Sequence, residues 1–310
     1  MSFEKVDLPR NIGEPAREAL PARVSAGAIV STARPRQWAK NVLVFGAPAT
    51  GGVLTDPAAL ASTIAAFIAF CLVASGVYFF NDIADASTDR LHPTKRFRSV
   101  AAGQMSGTLA AALGALLIAV GLAVALWGGG PGLLGVLAGY VGLSVAYTLV
   151  LRDIALIDLA AISGGFLLRA VAGGVAADVP LSMWFLMVAG FGSLFLAAGK
   201  RHAEYVQLGD ARAEHRKSLR EYSEPYLRYV QYASSTVVMA AYALWAFEGV
   251  AGGSLWSELS IIPFVLGIFR YALLLEQGRG AAPEEVVFSD VPLLVLGAAW
   301  IVLVATGVYA

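Results

Sequence analysis

Apolar residues gather in long runs near 58–80, 107–127, 131–150, 155–174, 182–199, 230–250, 257–275 and 290–309, separated by polar or glycine-rich stretches. Crossing about 30 Å of hydrocarbon takes about 20 helical residues, so each run predicts a membrane-spanning helix. A shorter run at 38–54, interrupted by Gly46, Pro48, Gly51 and Gly52, makes a ninth, because a bundle tolerates breakers where neighbouring helices satisfy the freed backbone groups. Gly135 and Gly139, four apart, predict a site of close helix packing. Of the 310 residues, 58% are hydrophobic and 14% charged, and the mean hydropathy is +0.69. The fold class expected is an all-α integral membrane protein, a nine-transmembrane-helix bundle.

Net charge is zero, yet its distribution is not neutral. Twenty of the 22 Lys/Arg fall in polar segments that nine spans place on one side: before residue 41, in 81–106, in 200–229, and in two short connections at Arg152 and Arg279. The alternate connections near 50–57, 128–131, 175–181 and 249–256 carry no Lys or Arg. The positive-inside rule then makes the basic side cytoplasmic and implies a plasma-membrane protein with cytoplasmic loops. Residues 1–33 form a cytoplasmic tail with a short interfacial helix at 24–31, and 34–310 the membrane domain. Cys71 is the one cysteine, so no disulfide or zinc framework exists, and packing is its expected role. No nucleotide loop is present and no nucleic-acid partner is expected; a homo-oligomer and a monomer both stay open.

Where the run 58–80 ends, Asn81-Asp82-Ile83-Ala84-Asp85-Ala86-Ser87-Thr88-Asp89 packs three acids and an amide into nine residues. On a helix Asn81, Asp85 and Asp89 share a face, with Asp82 beside them. Like charges crowded at the edge of hydrocarbon require a cation, and oxygen-only ligands at this spacing suit Mg²⁺. Magnesium is usually held by one or two carboxylates plus substrate phosphates, so the cluster predicts a diphosphate as its counterpart.

Basic residues follow the acids at Lys95, Arg96 and Arg98, positioned to neutralise phosphate or to anchor to lipid headgroups. Lys40 and Asn41 enter the membrane boundary on the same side, after Arg34, Arg36 and Trp38. Lys200, Arg201 and Glu204 lie where the sixth span meets water; Asp210, Glu214 and His215 sit among bases in a segment that reads as a solvated helical face. Asp158 opens the fifth span, and Tyr78, Tyr147 and Tyr222 have hydroxyls that phosphate could accept from, although interfacial tyrosines are common. Arg152, in its short connection, joins the candidate anion-binding set. Arg169 lies about four turns into its span, where an ion pair with Asp158 or Asp178, or snorkelling, is expected.

The motif Asn81-Asp82-x-x-Asp85-x-x-x-Asp89 after the second of nine spans resembles the UbiA superfamily of intramembrane prenyltransferases, from about Arg34 to the end. Typical members carry a second aspartate-rich motif after the sixth span, and both motifs hold magnesium and a prenyl diphosphate. Here Lys200-Arg201-His202-Ala203-Glu204 stands in its place. Together with Arg34-Pro-Arg-Gln-Trp-x-Lys40-Asn41 and Arg90-x-His-Pro-x-Lys95-Arg96-x-Arg98, that string is similar to the branch serving cell-wall arabinan precursor synthesis. The resemblance implies transfer of 5-phosphoribose from phosphoribosyl pyrophosphate to a polyprenyl (decaprenyl) phosphate with Mg²⁺. It implies Asp82, Asp85 and Asp89 as catalytic, and with Asn81 as metal ligands. Two other classes compete: prenyl transfer to an aromatic acceptor, and transport of an anionic metabolite. The clustering of charge at one face favours an enzyme over a transporter.

Overall fold

The computed structural model describes residues 24–208, 217–248, 254–278 and 283–310, and the regular elements among them are all helical. Helix α1 (Ala26–Ala33) is capped by Ser25, which accepts from the Ala28 N–H. A 3₁₀ segment, Pro35–Phe45, leads into the short α2 (Gly46–Thr50). Helix α3 (Pro57–Ala84) starts where Asp56 accepts from the Ala58 N–H and Pro57 takes the first helical position. After α4 (Ala86–Leu91) and a 3₁₀ turn at Lys95–Phe97, Ser106 caps α5 (Gly107–Leu149). Then come α6 (Ile157–Ala176), α7 (Met183–Leu208), α8 (Ser218–Glu221) and α9 (Glu224–Glu248). The chain closes with α10 (Leu255–Leu259), α11 (Ile261–Glu276), α12 (Pro283–Ser289) and α13 (Val291–Tyr309).

The 43 residues of α5 would make a straight rod of about 65 Å, twice the hydrocarbon thickness. The rod is broken. Gly130 takes φ +70° and ψ −169°, a conformation barred to residues with a Cβ, and Pro131 has no N–H to continue the ladder. The first arm returns along α3: a Cβ on Gly76 would fall 2.6 Å from the Gly114 carbonyl oxygen, and one on Gly121 3.0 Å from that of Ala69. The second arm follows α3 the other way, with Tyr140 edge-on to Phe70 at 5.2 Å and the Thr148 hydroxyl bonded to Asn81 at 2.8 Å. The runs 107–127 and 131–150 are therefore the two limbs of one reversal.

Six helical stretches among the described residues are long and apolar enough to cross a membrane: Pro57–Ala84, Gly107–Leu149, Ile157–Ala176, Met183–Leu208, Leu255–Glu276 and Val291–Tyr309. The expected spans at 38–54 and 230–250 are not among the six. The first is a 3₁₀ segment joined to a five-residue helix, and α9 carries Glu224 and Arg228 in its first turns and ends on Glu248. This is a multi-pass membrane protein.

In lipid, water does not drive helices together, so close contact of small residues and complementary side chains must do so. Phe70, Val73, Leu133 and Leu137 are fully enclosed between α3, α5 and α6. Gly173 lets the Val44 carbonyl press against α6, where a Cβ would lie 1.7 Å from that oxygen. Gly135 and Gly139, expected to mediate such approach, face open space. Close packing falls instead on Gly76, Gly114 and Gly121, which are not spaced four apart, so the spacing of Gly135 and Gly139 did not locate the packing face.

Candidate functional site

The C-terminal end of α3 carries the acids, and the helix stops at Asp85, whose backbone sits at φ −90°, ψ −2°. Helical bonds nevertheless bridge the stop, from the Asp85 N–H to Asn81 and from the Asp89 N–H to Asp85, at 2.9 and 2.8 Å. The i, i+4 relation survives, although α3 and α4 are separate helices. Asp82 and Asp89 are buried, while Asn81 and Asp85 are partly open.

Three arginines from three segments converge on these acids. Arg34, at the junction of α1 and the 3₁₀ segment, binds Asp82 and stacks over the Tyr78 ring, 4.8 Å from its centroid. Arg98 bonds Asp89 at 2.7 Å and lies 3.6 Å from Asp82. Arg152, in the turn between α5 and α6, bonds Asp85 at 2.8 Å, and that bond raises its already high pKa further. Arg98 and Arg152 were legible as candidates. Arg34 was not placed in the site by sequence, and neither was Thr148, which holds Asn81.

Of the other basic candidates, Arg96 is exposed and stacks on Phe97 at 4.8 Å. Lys95 opens the same 3₁₀ turn, whose start is pinned by His92: its Nδ1 accepts from the Thr94 and Lys95 N–H groups at 3.2 and 3.3 Å. Lys40 donates to Gln37 at 2.5 Å. Lys200 is partly exposed on α7, one residue before Arg201.

Arg201 tells a different story from the exposed anion-gripping group its position suggested. It is 1% exposed and donates to Asp158 at 2.7 Å, Glu204 at 2.7 Å and Tyr147 at 3.0 Å. Asp158 is fully buried and also accepts from Tyr222 and, at 3.3 Å, from Ser218. Burial, then the bond it gives Asp158, pushes the Tyr222 hydroxyl well above its ordinary pKa, so it stays a donor. Four predicted substrate-binding residues, Tyr147, Asp158, Arg201 and Glu204, thus belong to one network, centred on the buried Arg201–Asp158 pair, that pins the chain after Lys217 to the start of α6.

Asn41 and Arg169 form a third cluster, deeper in the bundle. Arg169 pairs with neither Asp158 nor Asp178; it donates to Asn41 at 2.7 Å, to the Gly165 carbonyl at 2.7 Å and to Tyr140 at 3.1 Å. The rings of Phe70, Tyr140 and Phe166 lie within 5.5 Å of its guanidinium carbon. Aromatic faces and neutral acceptors replace the expected carboxylate. Asn41 in turn donates to Cys71 at 3.3 Å, which fixes its amide. Asp210, Glu214 and His215, read from the sequence as part of a solvated helical face, lie outside the described residues.

Asn81, Asp82, Asp85 and Asp89 offer only oxygen, the donor type a hard cation selects. Among the described residues, however, no three acidic, histidine or cysteine side chains close on a single point. That fits magnesium, which needs one or two protein carboxylates and completes its shell with water and phosphate. It does not fit a cation caged by protein alone.

A sequence profile of the UbiA prenyltransferase family matches residues 42–291. The decaprenyl-phosphate phosphoribosyltransferase of Mycolicibacterium smegmatis is 41% identical over 302 residues, 93% of this chain and 95% of that one. The enzyme of the same name from Mycobacterium tuberculosis is 43% identical over 292 residues, 93% and 96% of the two chains. Among solved structures, a UbiA homolog from Archaeoglobus fulgidus bound to GPP and Mg²⁺ superposes with a TM-score of 0.72 at 15% identity, covering 90% of this chain and 98% of that one. The chain belongs to the UbiA prenyltransferase family.

Proposed function

We propose that the protein transfers 5-phosphoribose from phosphoribosyl pyrophosphate to decaprenyl phosphate, releasing pyrophosphate, as a step in cell-wall arabinan precursor synthesis. The observation that carries this reading is identity above 40% across nine-tenths of the chain to enzymes of that name. The site supports it: three acids and three arginines meet where α3 ends, a setting for a diphosphate and a divalent cation.

One or two of the carboxylates of Asp82, Asp85 and Asp89, with Asn81 beside them, would hold Mg²⁺, which would supply positive charge to the departing diphosphate. Arg34, Arg98 and Arg152 grip the donor's phosphate oxygens by paired, charge-assisted bonds. The lipid phosphate oxygen forms the new bond to the ribose C1 as the bond from C1 to the diphosphate oxygen breaks. That nucleophile is already anionic near neutral pH, so no protein base is required. The two described histidines agree: His92 caps a turn through Nδ1, and His202 is buried with Nε2 3.5 Å from Glu224. Direct displacement inverts the α donor to a β-linked product.

The polyprenyl tail lies along the apolar bundle. Nine crossings follow if α5 counts as two, and the Pro35–Thr50 stretch and α9 join the other five apolar stretches. The site then faces the cytoplasm of a cell whose plasma membrane holds the protein, and soluble donor meets lipid acceptor at that face. The test is donor identity. Radiolabelled phosphoribosyl pyrophosphate is expected to label decaprenyl phosphate, with no product from geranylgeranyl diphosphate and an aromatic acid; efficient prenylation of the aromatic acid would overturn the reading.

A further inference from the structure

Arg34 ends α1 in the left-handed region, at φ 53° and ψ 60°, with its N–H bonded to the Val30 carbonyl. Glycine is the usual residue at that position, because a Cβ there costs about 1 kcal/mol. Non-glycine residues persist in such places where the side chain is held by what it touches. Here the side chain reaches 48 residues along the chain to Asp82, across the face of Tyr78.

Two of the acids are inside and the arginines that bind them are outside. The Asp82 and Asp89 side chains are 2% and 5% exposed, whereas Arg34 and Arg98, which bind them, are 26% and 29% exposed. Arg152 and Asp85 are similarly open to water. In the structure the carboxylates already have arginine counter-charges, so a divalent cation must displace a guanidinium to reach Asp82. The displaced arginine would be left with no acid to pair with. A diphosphate arriving with the cation changes that balance, since its oxygens accept a guanidinium fork at least as well as a carboxylate does. Charge stays matched in both arrangements: arginine to aspartate as the structure shows, and cation to aspartate with arginine to phosphate once both ligands are bound.

We infer that Arg34 is an exchangeable counter-cation that passes from Asp82 to the donor's phosphate, so that divalent cation and diphosphate each strengthen the binding of the other. The inference rests on the proposed diphosphate donor and adds what that reading lacks, a reason for the left-handed arginine and a coupling between the two ligands. Coupling of this kind is reciprocal and typically changes affinity by about 5- to 150-fold.

Arg34→Gly suits the test, because glycine accepts φ 53° without strain and removes the guanidinium. The probes are Mn²⁺ alone, read by its electron paramagnetic resonance, and pyrophosphate at saturating Mn²⁺, with complexation in solution accounted for. The variant is expected to bind Mn²⁺ alone at least about five-fold more tightly than the unaltered protein, and pyrophosphate at least about ten-fold more weakly. Changes of opposite sign are the signature. Arg34→Gln, which keeps the side-chain length, is expected to shift both in the same directions, and it decides the matter if the glycine variant fails to fold. If both affinities fall together, or Mn²⁺ binding does not tighten in either variant, Arg34 is a fixed structural partner and the inference is wrong. Because pyrophosphate is the probe, this outcome is separable from the donor question: failure of the unaltered protein to use phosphoribosyl pyrophosphate would sink the donor reading alone.

Discussion

Two arginine–carboxylate clusters stand at the ends of neighbouring helices and differ in one respect, access to water. At the end of α3 the arginines approach from outside and remain partly exposed. Between α6 and α7, Arg201 and Asp158 are sealed, and Tyr147, Glu204, Ser218 and Tyr222 bond to them as well. Exposed pairs such as Arg152–Asp85 are worth about 0–1 kcal/mol and separate readily, whereas removing one partner of a buried pair costs about 3–5 kcal/mol; Asp82 and Asp89 are buried but are bound by arginines that reach water. The same chemistry therefore yields a site that can trade partners and a joint that cannot. Charge marks both equally in the sequence; burial decides which one is free to act.

The comparison breaks most visibly at the sealed cluster. Arg201→Met leaves Asp158 charged and enclosed, and is expected to lower stability by about 3–5 kcal/mol in a denaturation titration in mixed micelles. Activity per folded molecule should change far less than stability. A fully stable Arg201→Met protein that has lost donor binding would move Arg201 into the site instead. Next in size, Asn41→Ala removes the acceptor for the Arg169 Nε–H and is expected to cost about 1–3 kcal/mol by the same titration. An undiminished midpoint would show that Arg169 finds another partner. At the open extreme, Arg228 bridges Glu224 and Glu276 in solvent at 2.9 and 2.8 Å. Glu276→Gln is expected to shift stability by at most about 1 kcal/mol, and less at high salt. A loss as large as that of Arg201→Met would mean that exposure does not set the scale.

Much of the fold was legible from the length of the apolar runs, although the run at 230–250 is not among the six stretches apolar enough to cross. The acid cluster at 81–89 marked the candidate site because carboxylates at a hydrocarbon edge call for a cation. Gly130-Pro131 could be read as a break, since neither residue supports a continued helix. What escaped depends on reach across the chain. Arg34 meets Asp82 from 48 positions away, through a left-handed backbone that no periodicity encodes; its only local signal is the following Pro35, which disfavours the helical region before it. Arg201 and Lys200 are adjacent, yet one turns inward and the other does not, and sequence spacing gave both the same role. Arg169 was assigned a carboxylate partner because charge is the partner that can be counted, while aromatic faces and an amide from separate segments cannot be read from one span.

The central claim, that the open cluster at the end of α3 is where the reaction occurs, is tested most directly by turnover of Asp85→Ala, the most accessible of the three acids. Its folding should be little affected, because Arg152 is released into water. With phosphoribosyl pyrophosphate and decaprenyl phosphate, label transfer is expected to fall at least about 100-fold, roughly 2.7 kcal/mol of transition-state stabilisation. A correctly folded Asp85→Ala protein that turns over within a few fold of the unaltered enzyme would contradict the account.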